Sequence, residues 1–168
     1  MKANNPVAWL EGLFLQPQHF QQQQRYIDNL IHKKQQVRSH NEWGFLTLVL
    51  NLDLLSIGKI TLSSCSGIFP DGTYFDMPGA DNLPAPYDIE EGWHDTRLYL
   101  ALPRRKPGVP EMGEPASHTL CRYHVLETAV SDSTAGSDQT SEIQVGSLAC
   151  RLMSDKDDLS HYTCLPIT

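Results

Sequence analysis

Residues 46–63, Leu-Thr-Leu-Val-Leu-Asn-Leu-Asp-Leu-Leu-Ser-Ile-Gly-Lys-Ile-Thr-Leu-Ser, decide the fold class. Leu46, Leu48, Leu50 and Leu52 alternate with Thr47, Val49 and Asn51, the two-residue period of a half-buried strand. Asp53 to Gly58 then makes a turn. Ile60 and Leu62 alternate with Lys59, Thr61 and Ser63, which predicts an antiparallel partner strand. The same logic repeats downstream. Phe69-Pro70-Asp71-Gly72 places proline second and glycine last, as a type I turn prefers, with short strands expected from Gly67 and over 73–76. Arg97 to Leu102 alternates again, and Thr119 to Ala129 and Ile143 to Met153 read as two further strands.

The joints between these segments are rich in turn residues. Residues 77–95 carry Pro78, Gly79, Pro84, Pro86 and Gly92 and read as an ordered surface loop. Residues 103–116 hold four prolines and two glycines, an exposed excursion between strands. Ser131 to Ser141 is nearly free of apolar residues and is expected to be a mobile loop.

Upstream the period changes. Pro17 suits the first helical position, because its φ is preset and its missing N–H would have had no intrahelical partner. Gln16 is then the cap, a poor one beside serine or aspartate. Phe20, Ile27, Leu30, Ile31 and Val37 recur at helical spacing, with Gln21 to Gln24, Arg25, Lys33 and Lys34 largely between them. One helix followed by six or seven short strands predicts a mainly β fold, an antiparallel β-sandwich with one N-terminal amphipathic helix. Residues 1–40 form the anchor segment and helix, and residues 41–168 form the sandwich.

Composition narrows the function classes. A chain of 168 residues can bury roughly 70% of its unfolded surface and needs no staples. The formal charge of −7 argues against nucleic-acid binding, and Arg104-Arg105-Lys106 is too short a basic cluster to reverse that. The first residues carry no apolar run of signal length, and no stretch approaches the roughly 20 apolar residues of a spanning helix. Cys65, Cys121, Cys150 and Cys164 form no Cys-x-x-Cys pair and are read as reduced cytoplasmic thiols.

No motif carries catalysis. His118 and His124, six apart on one strand, would stand about 20 Å from each other, too far to share an ion. His19, His32, His40, His94 and His161 lack metal spacing with cysteine or carboxylate. Asp155, Asp157 and Asp158 lack the glycine and distal glutamate of a calcium loop. Neither a Gly-x-Ser-x-Gly elbow nor a phosphate-cradling glycine loop occurs. The expectation is a non-enzymatic protein without cofactor or metal.

Residues 9–26, Trp-Leu-Glu-Gly-Leu-Phe-Leu-Gln-Pro-Gln-His-Phe-Gln-Gln-Gln-Gln-Arg-Tyr, carry a resemblance. They resemble the opening of the TssK family of type VI secretion baseplate proteins, typically Trp-x-Glu-Gly-Met-Phe-Leu-x-Pro-Gln-His-Phe-Gln-Gln-Gln-(Asp)-Arg-Tyr. Leu13 stands for the methionine and Gln24 for the acidic residue. Trp43-Gly44-Phe45, residues 67–75 (Gly-Ile-Phe-Pro-Asp-Gly-Thr-Tyr-Phe) and residues 98–103 (Leu-Tyr-Leu-Ala-Leu-Pro) agree in the same order. The likeness covers most of residues 7–103 and is looser beyond.

The resemblance implies a sandwich similar to the shoulder domain of siphophage receptor-binding proteins. It implies docking onto the baseplate wedge proteins TssF and TssG, and self-association as a homotrimer in the full-length protein. It also implies contact with membrane-complex proteins through a C-terminal region beyond this chain, at the cytoplasmic face of the bacterial inner membrane. Nucleic-acid binding and direct membrane insertion are not implied. The docking or interprotomer region then falls on Trp9, Glu11, Phe14, Pro17, Gln18, His19, Phe20 and Arg25.

Two features keep two readings each. The glutamine run is either a soluble helix face or a set of amides that satisfy another protein's backbone without burying charge. The aromatics either close the domain's own core or fill a partner's pocket. Self-packing is the expectation for Phe14 and Phe20, and Trp9 stays open. The alternative function is a phage-type receptor- or carbohydrate-binding sandwich, with Tyr87, Trp93 and His94 stacking on a sugar. Exposed aromatics on one loop end would favour that alternative, and an apolar patch near residues 7–26 would favour docking.

Overall fold

The described residues of the computed structural model are 5–8, 10–38, 43–89, 94–115, 120–131 and 140–167. The chain forms two compact units, Met1–Glu42 and Trp43–Thr168.

The first unit contains helix α1, Pro17–Arg38, which opens on its proline as the chain chemistry dictates. Gln22 Nε2 donates to the Asn5 carbonyl at 2.8 Å and ties the segment before the helix to its second turn. Gln24 Nε2 donates to Asp28 Oδ1 at 2.8 Å, a same-face pair four residues apart.

The second unit is a layered antiparallel structure. Strand β1, Gly44–Asn51, runs into a 3₁₀ turn at Leu55–Ile57. Gly58, at φ +74°, ends that turn, a left-handed position that glycine takes without strain. Strand β2, Lys59–Ile68, returns antiparallel to β1. It then pairs with β3, Tyr74–Met77, across the Phe69–Gly72 turn, which Gly72 N–H closes onto the Phe69 carbonyl at 2.8 Å. The two-residue strand β4, Tyr87–Asp88, adds to the start of β2.

A second sheet is built from β5, Leu98–Pro103, flanked by β9, Arg151–Ser154, and β10, Tyr162–Pro166. A third joins β6, Met112–Gly113, β7, Tyr123–Ser131, and β8, Thr140–Leu148. Here β7 and β8 make a long antiparallel arm and β6 lies parallel to β7. Of the run Ser131 to Ser141, read from sequence as a mobile loop, Ser131 ends β7 and Thr140 and Ser141 open β8, so the strands reach into it, and residues 132–139 lie outside the described residues.

One core joins the first two sheets. Leu62, Cys65, Phe69, Phe75 and Met77 from the β2–β3 side meet Leu98, Leu100, Leu102, Leu152 and Leu165. Phe69 and Phe75 pack at 4.9 Å between ring centroids, and Phe45 meets Phe75 edge-on at 5.8 Å and 85°. Two inner faces sharing one apolar layer make the mainly β, antiparallel sandwich expected from the alternation.

Three details depart from the alternation. Leu46 is 70% exposed although Leu48 and Leu50 are half-buried. Register shifts between Phe45 and Thr47 and between Val49 and Leu50 break the period and turn Leu46 outward. The run 143–153 is two strands: Leu148 ends β8, Ala149 N–H bonds the Arg122 carbonyl at 2.9 Å, and the chain passes into β9 of another sheet. Strand β10 has no alternation to read, since Tyr162, Thr163 and Leu165 are all buried and both faces are covered.

Candidate functional site

The segment before α1 is shaped by one tight turn. Leu13 N–H reaches the Leu10 carbonyl at 3.2 Å, with Gly12 third in the turn at φ +76°, the left-handed conformation a type II turn needs there. Beyond it the chain presents its apolar groups to solvent: Leu10 is 71%, Phe14 87% and Leu15 57% exposed. Phe14, expected to pack within the chain, is almost fully exposed, and Phe20 is more than half exposed. Phe20 is 59% exposed, and with Ile27, Leu30 and Ile31, all exposed, it forms a stripe along one side of α1. A single exposed leucine means little, but a run of apolar side chains continuous in sequence and helix face marks a surface for contact.

The helix start explains how a weak cap is tolerated. Pro17 is the first helical residue, and His19 Nδ1 accepts the Gln16 N–H at 3.1 Å. His19 N–H donates to the Gln16 carbonyl at 3.0 Å. The imidazole thus takes the place that glutamate or glutamine holds in a capping box, satisfying the backbone donor at the cap. His19 is half-buried, and Glu11, Pro17, Gln18 and Arg25 are exposed. Trp9 lies outside the described residues. Of the glutamines, Gln22 and Gln24 engage their own unit, whereas Gln23 Oε1 is buried with no hydrogen-bond partner among the described residues.

The sandwich holds a second polar construction that sequence reading missed. Arg122 is 2% exposed. Its Nη1 donates to the Pro103 carbonyl at 2.6 Å, and its Nη2 donates to Asp71 Oδ2 at 2.7 Å and Thr73 Oγ1 at 2.5 Å. Burial pushes the Asp71 carboxyl up. The Arg122 charge, with hydrogen bonds from Thr73 and Arg122, outweighs that and holds it below its ordinary value. A lone arginine at a strand start carries no sequence signal, because its partners lie 51 and 49 positions away.

Nothing in the described residues assembles a metal site: no group of three or more His, Cys, Asp or Glu is placed to hold an ion. The cysteines are free, and burial pushes the Cys65 thiol up to about 11, with Asp76 and Asp81 adding to the effect. The sugar platform suggested by Tyr87, Trp93 and His94 is not assembled among the described residues. Tyr87 packs against the core as part of β4 instead of standing free for stacking, and Trp93 lies outside the described residues. No helix among the described residues is long and apolar enough to cross a membrane.

Comparison with known proteins follows the same outline. The family described as "Bacterial Type VI secretion, VC_A0110, EvfL, ImpJ, VasE" matches residues 19–168. The type VI secretion system baseplate component TssK1 of Pseudomonas aeruginosa is 37% identical over 99% of this chain. The chain spans 38% of that protein's length. A crystal structure of TssK superposes with a TM-score of 0.90 at 38% identity, covering 98% of this chain and 38% of that one. A TssK-TssF-TssG baseplate subcomplex structure contains a chain matched at TM-score 0.87 and 25% identity, over 100% of this chain and 56% of that one. With sequence and sandwich both matched along nearly the whole chain, this protein belongs to the TssK (VasE/ImpJ) family of type VI secretion proteins.

Proposed function

We propose that this chain is the baseplate-docking part of a TssK-type protein, binding the TssF–TssG wedge through the segment around Trp9, Glu11, Phe14, Pro17, Gln18, His19, Phe20 and Arg25. The observation that carries this reading is the exposed apolar run from Leu10 to Phe20, continued by Ile27, Leu30 and Ile31 along α1. Solvent exposure of Phe14 at 87% stabilises nothing within its own unit. A structural neighbour solved in a TssK-TssF-TssG subcomplex supplies the partner class.

The mechanism is assembly by surface complementarity, with no turnover. In the longer protein this part works as one arm of a homotrimer. Regions beyond the chain, which the longer relatives carry, meet the membrane complex at the cytoplasmic face of the inner membrane.

The test is a pull-down of the chain on purified TssF–TssG, beside a Phe14→Ala, Phe20→Ala variant whose folding is checked by circular dichroism. Binding lost in a folded variant supports the reading. Equal binding by both moves docking away from this segment and overturns it.

A further inference from the structure

We propose that the outer edge of β8 takes up an extended, basic segment of another protein as an added strand. Strands β7 and β8 pair from Tyr123↔Leu148 to Ser131↔Thr140, while β6 reaches only Tyr123 and His124. Beyond that point the arm is a two-stranded ribbon, a form that is marginal in water until a third strand joins it. The site lies on the sandwich unit and does not depend on the docking reading of residues 9–26.

Backbone direction is the first argument. In an antiparallel pair, successive residues turn their N–H and C=O alternately toward the partner strand and away from it. Leu148 N–H turns away from β7 and donates to Asp81 Oδ1 at 2.8 Å, whereas Ala149 N–H reaches the Arg122 carbonyl at 2.9 Å. This fixes the phase, so Gly146, Gln144 and Glu142 turn both backbone groups outward. Those groups meet no hydrogen-bond partner among the described residues. Proteins guard such an edge with lysine, proline, a bulge or a covering loop. Strand β8 contains neither lysine nor proline, and its register against β7 is continuous. Loop cover stops at Ser147, whose Oγ accepts the Asn82 N–H at 3.0 Å.

The two faces of the ribbon specify the occupant. Residues opposite each other across an antiparallel pair share a face. One face carries Leu126 with Val145, Thr128 with Ile143, and Val130. Of these, Val130 and Ile143 are 44% exposed and Val145 is 37% exposed. The other face carries Glu127 beside Gln144 and Ala129 beside Glu142, and no lysine or arginine occurs anywhere in residues 123–148. An added strand that alternates apolar residues with lysine or arginine covers the first face and neutralises the second. A second copy of β8 fits poorly, since its own Glu142 would join a face that already holds two carboxylates. Nucleic acid is repelled by the same charge.

The experiment titrates the whole chain with the blocked peptide acetyl-(Lys-Val)₄-amide and follows ¹H–¹⁵N shifts and amide exchange. Saturable shifts along β8 are expected, with exchange at Glu142, Gln144 and Gly146 slowed about tenfold. Ile143 and Val145, already directed to β7, should change little. Protection at alternate residues distinguishes strand addition from contact by charge alone. Glu142→Lys, at an exposed position, is expected to weaken binding about fivefold at about 50 mM salt and less at about 300 mM. The same peptide with its lysine backbone nitrogens methylated should lose about tenfold or more, because these are the amides that face β8. Four results overturn the proposal: equal binding of that methylated peptide, equal binding of acetyl-(Glu-Val)₄-amide, protection at another edge or evenly along β8, or no shifts at all.

Discussion

Arg122 Nη2 lies 2.7 Å from Asp71 Oδ2, joining the start of β7 to the turn between β2 and β3. Three sequence-distant pieces meet on this guanidinium, since Pro103 at the end of β5 accepts from its Nη1. The ion pair is asymmetric in burial: the Arg122 side chain is 2% exposed and that of Asp71 34%. A charge so enclosed must keep its partners, and removing one leaves the other without compensation.

Asp71→Asn is accordingly expected to lower stability by about 1–3 kcal/mol, less than for a fully buried pair because Asp71 is partly solvated. The effect depends on pH. Because the folded carboxyl titrates below its unfolded value, its contribution is complete above the unfolded value of about 3.9 and fades as pH falls through the lowered folded value. Urea titrations of both proteins at about pH 6 and pH 3 should show the gap between them narrowing at the lower pH. A gap of constant size would remove the ion pair from the account.

Gly67 sits where β1 and Phe75 leave no room for a side chain. A Cβ there would lie 2.3 Å from the Gly44 carbonyl oxygen and 2.9 Å from Phe75 Cζ. Backbone cannot yield as a side-chain tip does, so Gly67→Ala should cost about 1–3 kcal/mol and loosen the β1 pairing. Amide exchange along β1, compared with exchange along β5, tests it: faster exchange in both to the same degree would deny a local origin.

The thiols test the core directly. Cys65 is 1% exposed, with its titration pushed up to about 11. Cys150 is also buried and raised, chiefly by that burial. Iodoacetamide at about pH 8 should leave both intact in the folded chain and modify both in urea, because the thiolate is the nucleophile. Labelling of Cys65 in the native state at the unfolded rate would contradict the packing.

Much of this fold was legible. Period-two runs at 60–62 and 98–102 and the Phe69–Gly72 turn announced an antiparallel sandwich, and Pro17 announced the start of α1. What stayed hidden has physical causes. Strand β10 is buried on both faces, so Tyr162 to Leu165 shows no alternation. The bulges of β1 reverse Leu46 in a way that composition does not record. The site was half legible. Residues 9–26 stood out by their apolar run, yet exposure of Phe14 and Phe20 is a tertiary fact, since the same residues would serve a core equally well. Arg122 was invisible, because its meaning lies in Asp71 and Thr73, brought to it only by folding.

The exposed aromatics give the sharpest separation of stability from binding. Phe14 and Phe20 are 87% and 59% exposed, so truncating either removes little buried area from the folded chain. Surface substitutions of this kind usually stay within about 0.5 kcal/mol. An aromatic anchor that fills a partner pocket costs about 2 kcal/mol or more when cut to alanine, some thirtyfold in affinity. Phe14→Ala and Phe20→Ala should therefore keep the urea midpoint of the parent chain while weakening its titration onto the TssF–TssG wedge. A matched loss in both measurements would mean that these rings stabilise their own unit, and the apolar run would lose its claim as a docking surface.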